Sequence, residues 1–178
     1  MDFGFTPDQE VLRTNARKIL LEVCTQDYVA QCDKEARPPR EAYAAMANNG
    51  WLGLILPEEY GGVSGSPIDI AILLEEAGRQ YEELAVWMFR SMVWGGYALL
   101  SHGSEQQKKE FLPKIANGEI TVCFGLTDPG SGSDASALST FAKKTENGGY
   151  IINGQKVFTS GMDISDYCLL VARTTKAN

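Results

Sequence analysis

A chain of 178 residues, 44% of them hydrophobic, can bury one sizeable core, or one domain and part of a second. Its formal net charge of −7, single histidine and lack of any basic run exclude a phosphate-neutralising surface as the expected design, so no nucleic-acid partner is expected. The four cysteines, Cys24, Cys32, Cys123 and Cys168, form no CxxC pair and have no histidines at metal spacing; they read as reduced thiols of a cytoplasmic protein, with no metal site.

The opening Met1-Asp2-Phe3-Gly4-Phe5 lacks the basic start and apolar core of a signal peptide. Thr6-Pro7-Asp8-Gln9 then predicts a helix start with a capping box, and Leu12, Ala16, Ile19, Leu20 and Val23 fall on one face of the helix that follows. Residues 33–40 are charged and carry prolines, which predicts a connection. A second helix is expected from about Arg40 to Asn48, stopped by Asn49 and Gly50. The run 51–56 should pack inward and end at Pro57, with Glu58 and Glu59 solvated. Gly61, Gly62 and Gly65 predict a flexible turn.

Residues 66–78 place Ile70, Leu73, Leu74 and Ala77 at helical spacing. Residues 82–101 are apolar nearly all round, which predicts a helix central in a bundle. Arg90, Ser91 and two glycines interrupt the run and argue against a membrane span. A last helix begins at Ser104, with Phe111, Leu112 and Ile115 inward and Pro113 expected to break or kink it. Five helical segments with no interleaved strand predict a bundle rather than an alternating α/β sheet.

From Thr121 the period changes. Strands are expected over residues 121–126, 140–144, 150–153, 156–159 and 167–173, with Asn147-Gly148 and Asn153-Gly154 as hairpin turns. Between the first two strands lies Phe124-Gly-Leu-Thr-Asp-Pro-Gly-Ser-Gly-Ser-Asp134. Asp128-Pro129-Gly130 forces a turn, Gly130 and Gly132 leave room for a ligand to approach the backbone, and Ser131 and Ser133 add hydroxyls. Those residue types alone fit a solvent turn as well as a cradle for a phosphate or heteroaromatic edge.

The order of residues 126–134, Leu-Thr-Asp-Pro-Gly-Ser-Gly-Ser-Asp, closely resembles the flavin-binding signature of the acyl-CoA dehydrogenases, Leu-Thr-Glu-Pro-x-Ala-Gly-Ser-Asp. Two further stretches resemble that family in order and spacing: Gly50-Trp-Leu-Gly-Leu-Ile-Leu-Pro-Glu-Glu-Tyr-Gly-Gly62, and Asn153-Gly-Gln-Lys-Val-Phe-Thr-Ser-Gly161 against Asn-Gly-x-Lys-x-Trp-Ile-Thr-Asn. The likeness runs from Met1 to about Arg173. It implies an α+β chain: an N-terminal all-α helical bundle over residues 1–119, then an incomplete antiparallel β domain of the acyl-CoA dehydrogenase type over residues 120–178, with the family's C-terminal helical domain outside these residues.

The resemblance also implies FAD as cofactor and an acyl-CoA thioester as substrate. Its cofactor contacts would be Phe124, Leu126, Thr127, Gly132, Ser133, Phe158, Thr159 and Ser160, with Ser133 also beside the thioester ligand. Leu126 and Thr127 take the pyrimidine edge of the flavin, Phe158 the ring-packing position and Ser160 the hydroxyl near the hydride-accepting nitrogen. Asp128, Ser131, Phe158, Thr159 and Ser160 depart from the family's Glu, Ala, Trp, Ile and Thr; most of these changes keep the donor or the aromatic face, and Thr159 is the odd one, putting a hydroxyl where the family has an aliphatic chain. The implied reaction is α,β-dehydrogenation: α-proton abstraction by a carboxylate with β-hydride transfer to flavin. The family's carboxylate lies in its C-terminal bundle, so no catalytic base is nominated here.

Electron-transferring flavoprotein is the implied electron partner, and a homo- or hetero-oligomer, dimer or tetramer, is the implied assembly. The chain would be the N-terminal portion of such an enzyme or one subunit whose partner supplies the rest. The alternatives are a catalytically silent fragment that acts as an interaction protein, and an oxidase or enoyl-CoA reductase of the same fold. The Met-Asp-Phe start and the region from Cys32 to Gly62 resemble crotonobetainyl-CoA reductase-like members of the family.

Overall fold

The computed structural model describes residues 4–175, which fall into two units, Met1–Thr121 and Val122–Asn178. In the first, Thr6 caps α1 (Pro7–Val23) through the expected capping box: its hydroxyl accepts from Gln9 N, and the Gln9 side chain accepts from Thr6 N. The predicted face is recovered, with Ala16 and Leu20 fully buried. Next comes α2 (Gln26–Glu35), which the sequence reading passed over. It has the Thr25 cap but only one buried residue, Cys32, so it carries almost no apolar stripe to read. The charged connection is correspondingly shorter, and α3 (Arg40–Asn48) has the expected bounds.

The run after α3 is buried at Trp51, Leu52, Leu54 and Leu56, and both Glu58 and Glu59 are exposed. The glycines that follow are not a flexible turn. A Cβ on Gly62 would lie 1.9 Å from the Leu56 carbonyl oxygen and 2.4 Å from that of Gly53, so only hydrogen fits between the two backbone passes.

Ser66 opens α4 (Pro67–Gln80) with a second capping box. Its buried face is Ile72, Leu73, Glu76 and Ala77, which places a carboxylate where only apolar residues were expected. Arg17 of α1 satisfies it, donating from Nε to Glu76 Oε2 at 2.9 Å and from the guanidinium terminus to Oε1 at 2.6 Å. This bidentate pair spans the α1–α4 contact and holds the Glu76 carboxyl below its usual range.

The long apolar helix is present as one continuous run with a changed interior: α5 (Glu82–Phe89), wide π turns over Arg90–Tyr97, then α6 (Ala98–His102). Its core members Leu84, Trp87, Met88 and Met92 are buried, whereas Tyr97 is exposed. Ser104 caps α7 (Glu105–Ala116), which runs through Pro113 rather than breaking there. Leu112 and Ala116 of α7 close on Leu56 and Tyr60 in one apolar cluster. Each leucine so buried contributes about 1.5–3 kcal/mol.

The second unit holds β1 (Val122–Gly125), β2 (Phe141–Lys144), β3 (Tyr150–Asn153) and β4 (Tyr167–Leu170). β2 and β3 form the expected antiparallel hairpin, turned at Asn147-Gly148, where Gly148 takes φ +85°. β1 pairs with β4 in parallel, so one of the two ladders is not antiparallel. The strand expected over 156–159 is absent. Phe158 adopts φ +58°, and Ser160 N donates to Phe158 O two residues back, a local turn that ends extended geometry.

Candidate functional site

β1 delivers its last residue, Gly125, into the glycine- and serine-rich loop, and the loop closes on itself through Ser131 N donating to Asp128 O at 3.1 Å. Gly130 and Gly132 have open space where a Cβ would stand, and Gly132 and Ser133 are exposed. These glycines therefore leave room for a ligand to approach and are not required by packing.

The segment 156–160 is fastened to this loop by two kinds of bond. Lys156 Nζ donates to Leu126 O at 2.7 Å and to Asp128 Oδ1 at 2.5 Å, and Val157 N donates to Thr127 O at 2.9 Å. The carbonyls of Leu126 and Thr127 are thus both engaged. The donors this stretch can offer a ligand are its N–H groups and the Thr127 hydroxyl.

Asp128 is the hub. Besides Lys156, its carboxylate accepts from Ser139 N (2.6 Å), Ser139 Oγ (3.0 Å), Thr140 N (2.7 Å) and Thr140 Oγ1 (2.7 Å). Only 2% of the residue is exposed, yet the Lys156 ammonium, followed by these donors, outweighs desolvation and holds the carboxyl far below the usual carboxylate range. A carboxylate so acidic and so saturated with donors is a poor proton acceptor, so Asp128 is a structural anion rather than a base. The sequence reading quoted Asp128 and Lys156 as motif members without pairing them, and it passed over Ser139 and Thr140. The available signal was the lone base of one motif, Lys156, and two acids in the other, Asp128 and Asp134, of which only the first is buried.

Of the nominated residues, the fold joins Leu126 and Thr127 to the segment carrying Phe158, Thr159 and Ser160. Gly132 and Ser133 lie on the exposed part of the loop, and Phe124 is half-buried in β1. Phe158 is 91% exposed while held at positive φ, a conformation that costs a non-glycine residue about 1–3 kcal/mol. Beside it the Thr159 hydroxyl is buried without a hydrogen-bond partner, and so is the Ser131 hydroxyl in the loop. An exposed aromatic ring, unpaired hydroxyls and a backbone with its carbonyls tied back together suit a flat heteroaromatic ligand rich in acceptors, which is the chemistry of a flavin edge.

A helical unit followed by a small β unit with a donor-lined loop defines the class. Residues 6–119 match the acyl-CoA dehydrogenase N-terminal domain and residues 123–178 the acyl-CoA dehydrogenase middle domain, and the chain belongs to that family. It is 35% identical over 170 residues to a 3-(aryl)acrylate reductase of Clostridium sporogenes, covering 96% of this chain and 45% of that protein. It is 36% identical over 176 residues to the acyl-CoA dehydrogenase FadE29 of Mycobacterium tuberculosis, covering 98% of this chain and 44% of that protein. Among solved structures, the ChsE4-ChsE5 complex from Mycobacterium tuberculosis matches with a TM-score of 0.85 and 33% identity, over 98% of this chain and 44% of that one. The chain thus spans a little under half the length of the relatives it matches. Among the described residues no helix is long and apolar enough to cross a membrane.

Proposed function

We propose that this chain supplies the flavin-facing part of an FAD-dependent acyl-CoA oxidoreductase working in the cytoplasm, and that Phe124, Leu126, Thr127, Gly132, Ser133, Phe158, Thr159 and Ser160 are its cofactor contacts. The observation that carries this reading is Phe158: a large ring left 91% exposed at φ +58°, next to the unpartnered Thr159 hydroxyl and tethered through Val157 to Thr127. Backbone strain of this kind persists where the surroundings over-determine it, and it concentrates at ligand-holding positions.

Bound there, FAD supplies the hydride acceptor. The chain's own residues then have separable tasks. Lys156 and Asp128 fix the loop, Leu126 and Thr127 present donors to the pyrimidine edge, and Phe158 packs on the ring. The Ser160 hydroxyl would stand near its hydride-accepting nitrogen with Thr159 beside it, while Gly132 and Ser133 would meet the pyrophosphate or the thioester. Proton abstraction falls to a carboxylate outside these residues, in keeping with the unsuitability of Asp128. Electron-transferring flavoprotein as partner and a dimeric or tetrameric assembly belong to the same reading, and a heteromeric relative supports the latter. Reduction of an α,β-unsaturated acyl group is the second direction, favoured by the aryl-acrylate reductase relative.

The test is the visible spectrum and intact mass of the material purified from its native source, followed by turnover of saturated and α,β-unsaturated acyl-CoA thioesters. Flavin absorption with either turnover supports the proposal. A colourless preparation that takes up no FAD on reconstitution, whatever its mass, overturns it.

A further inference from the structure

We propose that Cys123, Cys168 and Met162 form a three-sulfur binding site for a soft monovalent d10 cation, Cu(I) or its analogue Ag(I). In the parallel ladder Cys123 of β1 stands directly opposite Cys168 of β4, which puts both thiols on one face of the strand pair. Cys168 leans along that face toward Gly125, where a Cβ would come within 3.2 Å of its sulfur. Met162 completes the group, with its Sδ 3.6 Å from Cys123 Sγ. Cys123 is 1% exposed, Cys168 half-buried and Met162 59% exposed, so the group runs from a deep thiol to a residue open to solvent, where an ion would arrive.

With metal–sulfur bonds of about 2.3 Å, a trigonal site needs sulfurs about 4 Å apart and a linear one about 4.6 Å. The separation of 3.6 Å between Cys123 Sγ and Met162 Sδ is within a few tenths of the trigonal value. Two thiolates and a thioether, with no harder ligand, select a soft ion over zinc, which takes four ligands. Among the described residues no cluster of three His, Cys, Asp or Glu side chains offers such a set. The nearby Lys156 ammonium is committed to Asp128 and Leu126 O.

Binding converts two thiols to thiolates: one cation enters, two protons leave, and the site carries one net negative charge. Because the ligands must be deprotonated to bind, the metal competes with protons for the two sulfurs. The two thiols are 45 residues apart in sequence, which conceals the site from any reading by local spacing.

The experiment is an anaerobic titration of the 178-residue chain with Cu(I) against a chromophoric Cu(I) chelator, in the presence of a phosphine reductant. The expected result is one tightly held ion per chain, two protons released per ion and a raised melting temperature. Cys168→Ser should abolish tight binding and Met162→Leu, at a solvent-facing position, should weaken it at least about tenfold. Cys24→Ser and Cys32→Ser, in the other unit's buried thiols, should change nothing. Failure to bind, an unchanged affinity in Met162→Leu, or a loss in the Cys24 or Cys32 variants would overturn the proposal. If Cys168→Ser does not fold, the proton count and the Met162→Leu variant decide.

Discussion

Thr140→Val tests whether Asp128 is the anion that organises the loop. The substitution keeps volume and β-branching and deletes one donor, the hydroxyl 2.7 Å from Asp128 Oδ1, at a residue that is 2% exposed. A hydrogen bond to a charged group contributes about 1.5–3 kcal/mol. Because Oδ1 keeps the Lys156 ammonium, the lower part of that range applies, about 1.5–2 kcal/mol. For a chain of this size, that lowers the melting temperature by about 3–8 °C. The sign with pH follows from the depressed carboxyl: its contribution is fully present above the unfolded value of about 3.9 and is lost as pH falls toward the folded value. Urea unfolding should therefore show both proteins losing stability below about pH 4, while the gap between them, which the two folded carboxyls alone set, stays constant from pH 7 to pH 4. A gap below about 0.5 kcal/mol at pH 7 would mean that the hydroxyl makes no bond to a charged carboxylate, and the account of Asp128 as hub would fail.

Three further outcomes follow from separate features. Phe158→Gly should leave stability unchanged or raise it by up to about 1 kcal/mol, since relief of positive φ offsets the entropy of glycine, while FAD uptake by reconstituted protein falls; a stability loss above about 1 kcal/mol in thermal melts would show that the ring packs within the chain. Gly62→Ala should cost roughly 3 kcal/mol or more in denaturant titration, because its methyl would overlap the Leu56 carbonyl at 1.9 Å; near-parent stability would contradict the close backbone crossing. Cys24, pushed up to about 11 by burial and by Cys32 beside it, should resist iodoacetamide in the native state at pH 8, and peptide mapping that finds it alkylated as fast as in urea would refute that environment.

Local chemistry was legible where it acted locally. The Thr6 capping box, the α3 bounds and the Asn147-Gly148 hairpin depend on neighbours a few residues away, and all three are present. The motif order likewise pointed to the loop and to the segment 156–160 that is fastened to it. Features set by distant partners were not legible. Glu76 is buried because Arg17 reaches it from another helix, and Gly62 is required by a backbone pass several residues upstream. Residues 156–159 have strand-like composition, but their bonds to Thr127, Leu126 and Asp128 leave Phe158 in a turn. The parallel β1–β4 pairing gives no local sign at all.

That pairing also bears on synthesis at the ribosome. Val122 must wait for Tyr167, 45 residues later, before its ladder can close. At about 5–20 residues per second the interval is roughly 2–9 s, during which an apolar strand has left the ribosome tunnel, or is about to, without its mate. The helical unit, complete by Thr121, can fold in that time. The nascent chain should thus carry a finished bundle attached to an unmated strand, and the seconds before β4 emerges are when a chaperone has most to protect.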